Sequence, residues 1–347
     1  MKEYTVDGRT YRLAGGLTKF QLGMYVHLVD WKHAHLTKEC GYYRYKDRLI
    51  PYDSMLPAEM KKDLHPVYRP IVNRVRDHQR GFPFKLHKFV GHMASSQVAC
   101  INLFVPLLEH PDLAAQILRT VNPSVASIAT DHLDNGFRIE FWPGQGNERG
   151  LLNDHSSRAG TDSDIAIAYR DHDDRLCLWL IEHKLTEKEF TPCGGATSDG
   201  RTLRHRCAPA ADILNDHSLC YYHEAERCRY EYWPITDRHP ELFPRDRMAA
   251  HSECAFKGGM NQLWRNMLLA LAVEEDPESP FEYVHFSVVH HPGNHSLAST
   301  IQDFRELFDS ALRFSSFTSD QIVRAAEPTA VPELSDWIDW YKGLYGL

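Results

Sequence analysis

The sequence predicts a mixed α/β fold whose central elements follow in the order α-β-β-β-α-β between about residues 95 and 290. Residues 165–169 and 176–181 are apolar on both alternating faces, which is typical of central strands that are covered on two sides. Residues 260–273 repeat apolar side chains at helical spacing. Since the 347 residues are 43% apolar and 25% charged, the composition is that of a globular protein with a full core.

The helices of this order have recognisable start and stop signals. The first is predicted to begin near Ser95 or Ser96, because either hydroxyl can cap the apolar run that follows. Pro106 is expected to kink or end that helix, and Pro111 suits the first turn of the next one. The predicted strands are residues 137–142, 165–169, 176–181 and 281–289, and the last amphipathic helix is predicted over residues 297–312.

Three segments are expected along the chain. Residues 1–90 have short, mixed periodicity with Pro and Gly breaks, which predicts an N-terminal α+β extension. Residues 91–320 would form the central domain, with a long irregular insertion at residues 190–257. Residues 321–347 would form a helical tail that packs on the core.

The charge is unevenly distributed along the chain. The net charge is −8, which by itself counts against a nucleic-acid-binding protein. Residues 1–90, however, hold 17 Lys and Arg against 9 Asp and Glu, and residues 42–46 and 80–88 mix cations with aromatics. Such a surface can hold phosphates and stack bases, or it can be a solvated face above packed aromatics, and the sequence leaves both open.

The location of the protein is predicted from what the sequence lacks. The opening residues have no apolar run of the signal-peptide kind, and no stretch approaches the roughly 18 apolar residues of a membrane helix. We therefore expect a cytoplasmic protein without a membrane partner.

The residues that point to chemistry lie on either side of one predicted turn. A hairpin centred on Asp173 would set Asp164 opposite Glu182 and Asp162 opposite Lys184. Strand alternation would then place these four side chains on one face, and directly opposed Cβ atoms lie about 5 Å apart. A slip of one residue in the turn would move them apart, so the prediction depends on the register.

Two opposed carboxylates repel each other unless a cation lies between them. Mg²⁺ prefers a few carboxylate oxygens and keeps several waters, one of which can become a nucleophile. Lys184 on the same face could orient that water or stabilise developing negative charge, and the backbone carbonyl of His183 is a candidate further ligand.

An ion-pair cluster at the open end of the hairpin is the alternative, and such clusters usually contribute little. Two features count against it. Glu182 and Lys184 end a strand that reads as buried, and Ala166 and Ala168 leave room for a ligand on the acidic face.

These motifs resemble the signature of the PD-(D/E)XK nuclease superfamily. Ser163-Asp164 followed one hairpin later by Glu182-His183-Lys184 is similar to its short motif, although Ser163 stands where the name has Pro. More specific are Ser95-Ser96-Gln97, residues 181–187 and residues 262–266, which together resemble a restriction-endonuclease-like subgroup. The resemblance covers about residues 90–290 and implies a mixed central sheet flanked by helices.

The resemblance also implies roles for individual residues. Asp164 and Glu182 would bind Mg²⁺ or Mn²⁺, Lys184 would be catalytic, and Gln262 resembles a glutamine that some members place beside the site. Many members add a glutamate from the first helix or strand. The candidates for this additional glutamate are Glu109 and Glu140; the predicted metal ligands include Glu140, and the choice between the two stays open.

The insertion contains a second candidate metal site. Its four cysteines fall within 36 residues but lack the Cys-x-x-Cys pairs of ordinary zinc ribbons. A structural Zn²⁺, an Fe–S cluster as in some related nucleases, or ordinary thiols all remain open, and disulfides are less expected in a reducing compartment. These residues are Cys193, Cys207, Cys220 and Cys228.

The sequence thus predicts a Mg²⁺-dependent DNA endonuclease that acts in restriction or defence. Its expected partner is double-stranded DNA, and a homodimer is an open alternative to a monomer. Two other classes of protein remain: a nuclease-like fold used only to bind nucleic acid, and a different metal hydrolase built on the same carboxylates.

Overall fold

The computed structural model describes residues 1–144, 148–156, 160–197, 208–223, 229–307, 313–329 and 331–347. The N-terminal segment contains two β-hairpins and three helices. Helix α1 begins with a capping box, in which the Thr18 side chain accepts a hydrogen bond from the Gln21 N–H and the Gln21 side chain accepts one from the Thr18 N–H. The elements are β1 (Lys2–Val6), β2 (Arg9–Leu13), α1 (Lys19–His35), β3 (Gly41–Tyr45), β4 (Arg48–Tyr52), α2 (Ala58–Lys62) and α3 (Val72–Gly81).

Two buried helices follow. Helix α4 (Ser96–Leu108) is capped by Ser95, whose side chain accepts from the Val98 N–H at 3.4 Å. Pro106 lies inside α4, which ends two residues later, and α5 (Pro111–Leu118) has its proline in the first turn as predicted. Among the described residues, no single helix is both long enough and apolar enough to cross a membrane. Helices α4 and α5, which are bent against each other, pass this test when they are taken together, by length and composition alone.

A six-stranded mixed sheet lies at the centre of the described chain. Strands β10, β9, β8 and β7 are neighbours in that order, and both β5 and β6 pair with the other side of β7. Strands β8 and β9 run parallel, as do β9 and β10, whereas β7 is antiparallel to its partners. The strands are β5 (Ser127–Ile128), β6 (Phe137–Phe141), β7 (Ser163–Arg170), β8 (Leu176–Lys184), β9 (Tyr283–His290) and β10 (Phe314–Thr318).

The predicted register of the β7–β8 hairpin is confirmed. Ile165 pairs with Ile181 and Ala166 with Leu180, so the next step along both strands sets Asp164 opposite Glu182. The register holds because alternate residues of both strands enter different cores, and a slip of one residue would exchange them.

Helices cover both faces of the sheet. One face, which includes Ile165 and Trp179, shares a core with α1, α4 and α5, and the other, which includes Ala166 and Leu180, shares a core with α10. The remaining helices are α6 (Gly194–Thr197), α7 (Ala210–Asn215), α8 (Tyr232–Arg238), α9 (Arg245–Ala249), α10 (Met260–Glu275), α11 (Ala298–Leu307), α12 (Ser319–Ala326) and α13 (Pro332–Tyr345). The core of the first face contains residues from all three predicted segments, including α12 and α13.

Some predicted elements differ from the observed ones. Residues 190–257 were expected to be irregular, but their described part includes four short helices, α6 to α9. Strand β10 was not predicted, because Phe314–Thr318 is short and its Ser and Thr residues do not alternate regularly with the two Phe residues. Of the predicted last helix, Phe308 and Leu312 lie outside the described residues.

Candidate active site

The candidate site lies at the adjoining ends of β7 and β8. Asp164, Glu182 and Lys184 alternate with residues of the opposite face and so lie on the side of the sheet that α10 covers. Glu182 and Lys184 are 6% and 8% exposed, so both charged groups are almost removed from water. Buried charges of this kind are costly unless they are paired, and these two are.

Every oxygen of the Glu182 carboxylate has a donor. Lys184 Nζ lies 2.7 Å from Glu182 Oε1, and Gln262 Nε2 donates to the same oxygen at 2.7 Å. Asn266 Nδ2 donates to Glu182 Oε2 at 3.1 Å. Gln262 and Asn266 are four residues apart on α10 and therefore point from one face of the helix into the site. The helix thus fixes the position of the carboxylate.

The other carboxylates are held close together with little compensation. Asp164 Oδ2 accepts the His183 N–H at 2.7 Å, yet burial and then the nearby Glu182 raise the pKa of Asp164 well above its ordinary value. Burial likewise raises the pKa of Asp162, with Glu182 adding to the effect. Burial alone would lower the pKa of Lys184, but the surrounding carboxylates, led by Glu182, raise it. The site therefore favours binding of positive charge.

Glu140 lies opposite Asp164, because Ile139 pairs with Ile165 and Phe141 with Ser163. Its backbone conformation is unusual. Its φ of +51° lies in the left-handed region, which costs a residue with a side chain about 1–3 kcal/mol. The alternation of β6 changes there, because Phe137 and Ile139 enter one core and Phe141 the other. Burial, followed by Asp162 and Asp164, raises the pKa of Glu140 well above its ordinary value.

The two candidate glutamates are far from equivalent. Gln97, the second residue of α4, donates from Nε2 to Glu140 Oε1 at 2.7 Å and so holds it beside Asp164. Glu109 instead accepts from Arg74 Nε at 2.9 Å and is partly exposed. The structure thus brings Glu140, and not Glu109, to the predicted site.

His183 contributes to the site through its backbone. Its side chain is 1% exposed, and among the described residues neither ring nitrogen has a hydrogen-bond partner. Burial, with Lys184 and two histidines adding to it, lowers the pKa of His183 to about 3, so the ring is neutral. The role of its carbonyl as a metal ligand stays a prediction.

The donor set suits a hard divalent cation, which prefers oxygen ligands. In the described part of the chain, no three His, Cys, Asp or Glu side chains already converge as a metal-binding group. Glu182 is engaged by Lys184 and the two amides instead. An ion that binds at Glu182 Oε1 would compete with Lys184 and Gln262 for this oxygen, while the repulsion that raises the carboxylate pKa values would favour its binding.

Sequence reasoning missed two polar residues that hold this site. Gln97 and Asn266 contact Glu140 and Glu182, yet neither was assigned a role. A signal existed for Asn266, because it follows Gln262 by about one helical turn and so shares its face of α10. Gln97 belongs to the Ser95-Ser96-Gln97 motif at the start of α4, but the sequence did not show that its partner would be Glu140 of β6.

The cysteine segment is only partly described. Cys193 and Cys220 are buried and line one small cavity. Cys254 lines the same cavity but was not among the four cysteines predicted as metal ligands. Cys207 and Cys228 lie outside the described residues. A zinc ion or Fe–S cluster at these cysteines stays a prediction.

We expect Asp164→Asn to stabilise the metal-free protein at neutral pH. The folded-state pKa of Asp164 is raised, so the stability tied to its protonation is complete below the unfolded-state pKa and is lost as the pH rises through the folded-state value. The gain of the variant over wild type in urea unfolding should therefore grow from pH 4 to pH 8.

Asp171→Asn at the other end of the same hairpin is the matched control. Burial alone would raise the pKa of Asp171, but hydrogen bonds from Arg175 and Asp173 lower it. The ionised Asp171 carboxylate therefore stabilises the folded state at pH values above its unfolded-state pKa. Asp171→Asn should accordingly be less stable than wild type at pH 8. A gain for Asp164→Asn that does not change with pH would contradict the charge explanation.

The mixed central sheet, with helices on both faces and the site at one end, defines a restriction-endonuclease-like α/β fold, and the predicted fold class is confirmed. The chain belongs to the family described as restriction endonuclease associating with ARP, whose model matches residues 26–346. No curated protein and no solved structure gives a significant match to the chain.

Proposed function

We propose that this protein is a Mg²⁺-dependent endonuclease of the PD-(D/E)XK kind that hydrolyses phosphodiester bonds in double-stranded DNA. The observation that supports it most is the placement of Asp164, Glu182 and Lys184 on one face at the adjoining ends of β7 and β8. Membership of a restriction-endonuclease family supports DNA as substrate and a role in restriction or defence.

The carboxylates supply the oxygens that Mg²⁺ or Mn²⁺ would need. Asp164 and Glu182 are the principal ligands in this proposal, with Glu140 and the His183 carbonyl as further donors. A bound ion of this kind lowers the pKa of a water and neutralises charge on a phosphate. Gln262 acts as a positioning residue, since it holds one oxygen of Glu182.

Lys184 provides a fixed positive charge. Its raised pKa keeps the ammonium group protonated, so it can donate hydrogen bonds to the attacking water or to a phosphate oxygen. Its place near the carboxylates, with little exposure to solvent, makes this charge more effective than it would be in water.

The test is incubation of purified protein with supercoiled plasmid in Mg²⁺, in Mn²⁺ and in EDTA. Nicked and linear products that need either ion, and that disappear in Lys184→Ala, are expected. Plasmid binding without nicking under any condition would replace the nuclease with a binding module. Hydrolysis of small phosphoesters without DNA cleavage would point to a different metal hydrolase.

A further inference from the structure

The β3–β4 hairpin presents apolar side chains to solvent. Among the described residues, the exposed large hydrophobic side chains are Met1 and three residues of this hairpin. Tyr42, Tyr45 and Leu49 are 57%, 55% and 59% exposed. By the register of the hairpin, Tyr42 and Leu49 share one face, whereas Tyr45 lies with Tyr43 on the other.

Cations surround these side chains. Arg44, Lys46 and Arg48 are all exposed, and in the described part of the chain none of them forms an ion pair. Lys46 Nζ lies 5.7 Å from the centre of the Tyr45 ring, so one cation already borders an aromatic face. Since acidic residues outnumber basic ones after residue 90, this concentration of unpaired positive charge marks the hairpin for an anionic partner.

Packed rings join the hairpin to the segment that leads to the candidate site. Tyr43 stacks on Phe89, with ring centres 6.2 Å apart and an interplanar angle of 25°. Two residues earlier, the His87 N–H donates to Gln97 Oε1 at 2.9 Å. Gln97 in turn holds Glu140 at 2.7 Å. A short series of direct contacts thus connects the hairpin to the carboxylate cluster.

The connecting segment continues the positive surface. Lys85 and Lys88 are exposed, and Lys88 Nζ lies 4.9 Å from the centre of the Phe89 ring. Backbone hydrogen bonds from Leu56 to Gly91 and from Met93 to Ser54 tie the chain after the hairpin to the chain that enters α4. The cations are therefore carried on elements that are fixed relative to the site.

We propose that the β3–β4 hairpin and residues 85–89 bind an unpaired nucleic-acid strand next to the candidate site, with its phosphates on Arg48, Lys85 and Lys88 and a base stacked on Tyr45. Aromatic rings stack on bases whose faces are free, whereas the bases of a continuous duplex already stack on each other. The inference rests on the proposed nuclease function and narrows its substrate to DNA that carries an unpaired segment.

Binding is measured by fluorescence anisotropy of the full chain in Ca²⁺, with one labelled duplex that is either blunt or extended by an unpaired tail. The Tyr45→Ala variant should bind the tailed duplex at least about 10-fold more weakly and the blunt duplex nearly as well as wild type. Tyr45→Phe keeps the ring and should bind like wild type, and so should Tyr42→Ala on the opposite face. Arg48→Ala should reduce the slope of log Kd against log salt by about one, whereas Arg44→Ala should leave it unchanged.

Thermal unfolding checks that these exposed substitutions leave the fold intact. Unchanged binding of the tailed duplex by Tyr45→Ala overturns the proposal, and so does an equal loss for both duplexes. Plasmid cleavage by the same samples in Mg²⁺ separates the two claims. If Tyr45→Ala binds like wild type while wild type cleaves, the surface alone is overturned, whereas wild type that neither binds nor cleaves overturns the proposed function as well.

Discussion

Glu182→Gln and Asp164→Asn are each expected to reduce Mg²⁺-dependent DNA cleavage by about 10³-fold or more. Both substitutions keep the shape of the side chain but remove a negative charge that the metal ion would need. In Glu182→Gln one acceptor oxygen remains, so either Gln262 or Asn266 keeps its hydrogen bond while the other must turn its own amide to accept from the new NH₂ group. Single-turnover cleavage of plasmid at saturating protein measures the loss without a contribution from product release.

Two glutamates outside the motif provide the matched comparison. Glu140→Gln should also weaken cleavage, because Glu140 lies in the carboxylate cluster. Glu109→Gln should cleave like wild type, because Glu109 is engaged by Arg74. Full activity of Glu182→Gln and Asp164→Asn in folded protein would refute the site. Loss of activity only in Glu109→Gln would show that the wrong glutamate had been chosen.

Trp179→Ala is expected to lower the free energy of unfolding by about 3–5 kcal/mol. Trp179 lies in the central strand β8, is 0% exposed and donates from Nε1 to Ser287 Oγ at 2.8 Å. Its removal leaves a cavity between strands and helices that cannot collapse freely, because neighbouring strands hold both sides of the gap. Urea unfolding followed by far-UV circular dichroism gives the change.

Trp179→Phe separates packing from hydrogen bonding. It retains an aromatic ring in the same place and loses the bond to Ser287, so a smaller loss of about 1–2 kcal/mol is expected. If Trp179→Ala were no less stable than Trp179→Phe, the indole would not fill this part of the core as described.

The central hairpin was predictable because two independent signals agreed. Strand alternation fixed which side chains within residues 165–169 and 176–181 share a face. The polar turn between these two segments fixed which residues pair across the hairpin. Both signals act between residues that are close in sequence, so Asp164 and Glu182 could be set opposite each other without knowledge of the remaining chain. The start of α4 at its Ser95 cap was local in the same sense.

The rest of the site depends on contacts that no local pattern encodes. Glu140 reaches the cluster because β6 pairs with β7, Ile139 with Ile165 and Phe141 with Ser163, and that pairing joins strands that are well separated along the chain. The choice between Glu140 and Glu109 was therefore open until the fold was known. The hairpin surface was ambiguous for a related reason, since the sequence shows Tyr42 and Tyr43 side by side but not that one is exposed and the other packs on Phe89.

The parallel pairing of β8 with β9 has a consequence for how the chain folds. Residues 176–184 must find residues 283–290 across a loop of about a hundred residues, and closing a loop of that size costs entropy before any strand contact forms. In a nascent chain that is released before β9 is synthesised, one edge of β8 would have no partner strand. Because residues 176–181 of β8 are all apolar, this open edge would be prone to aggregation. Fragments intended for expression should therefore extend past residue 290.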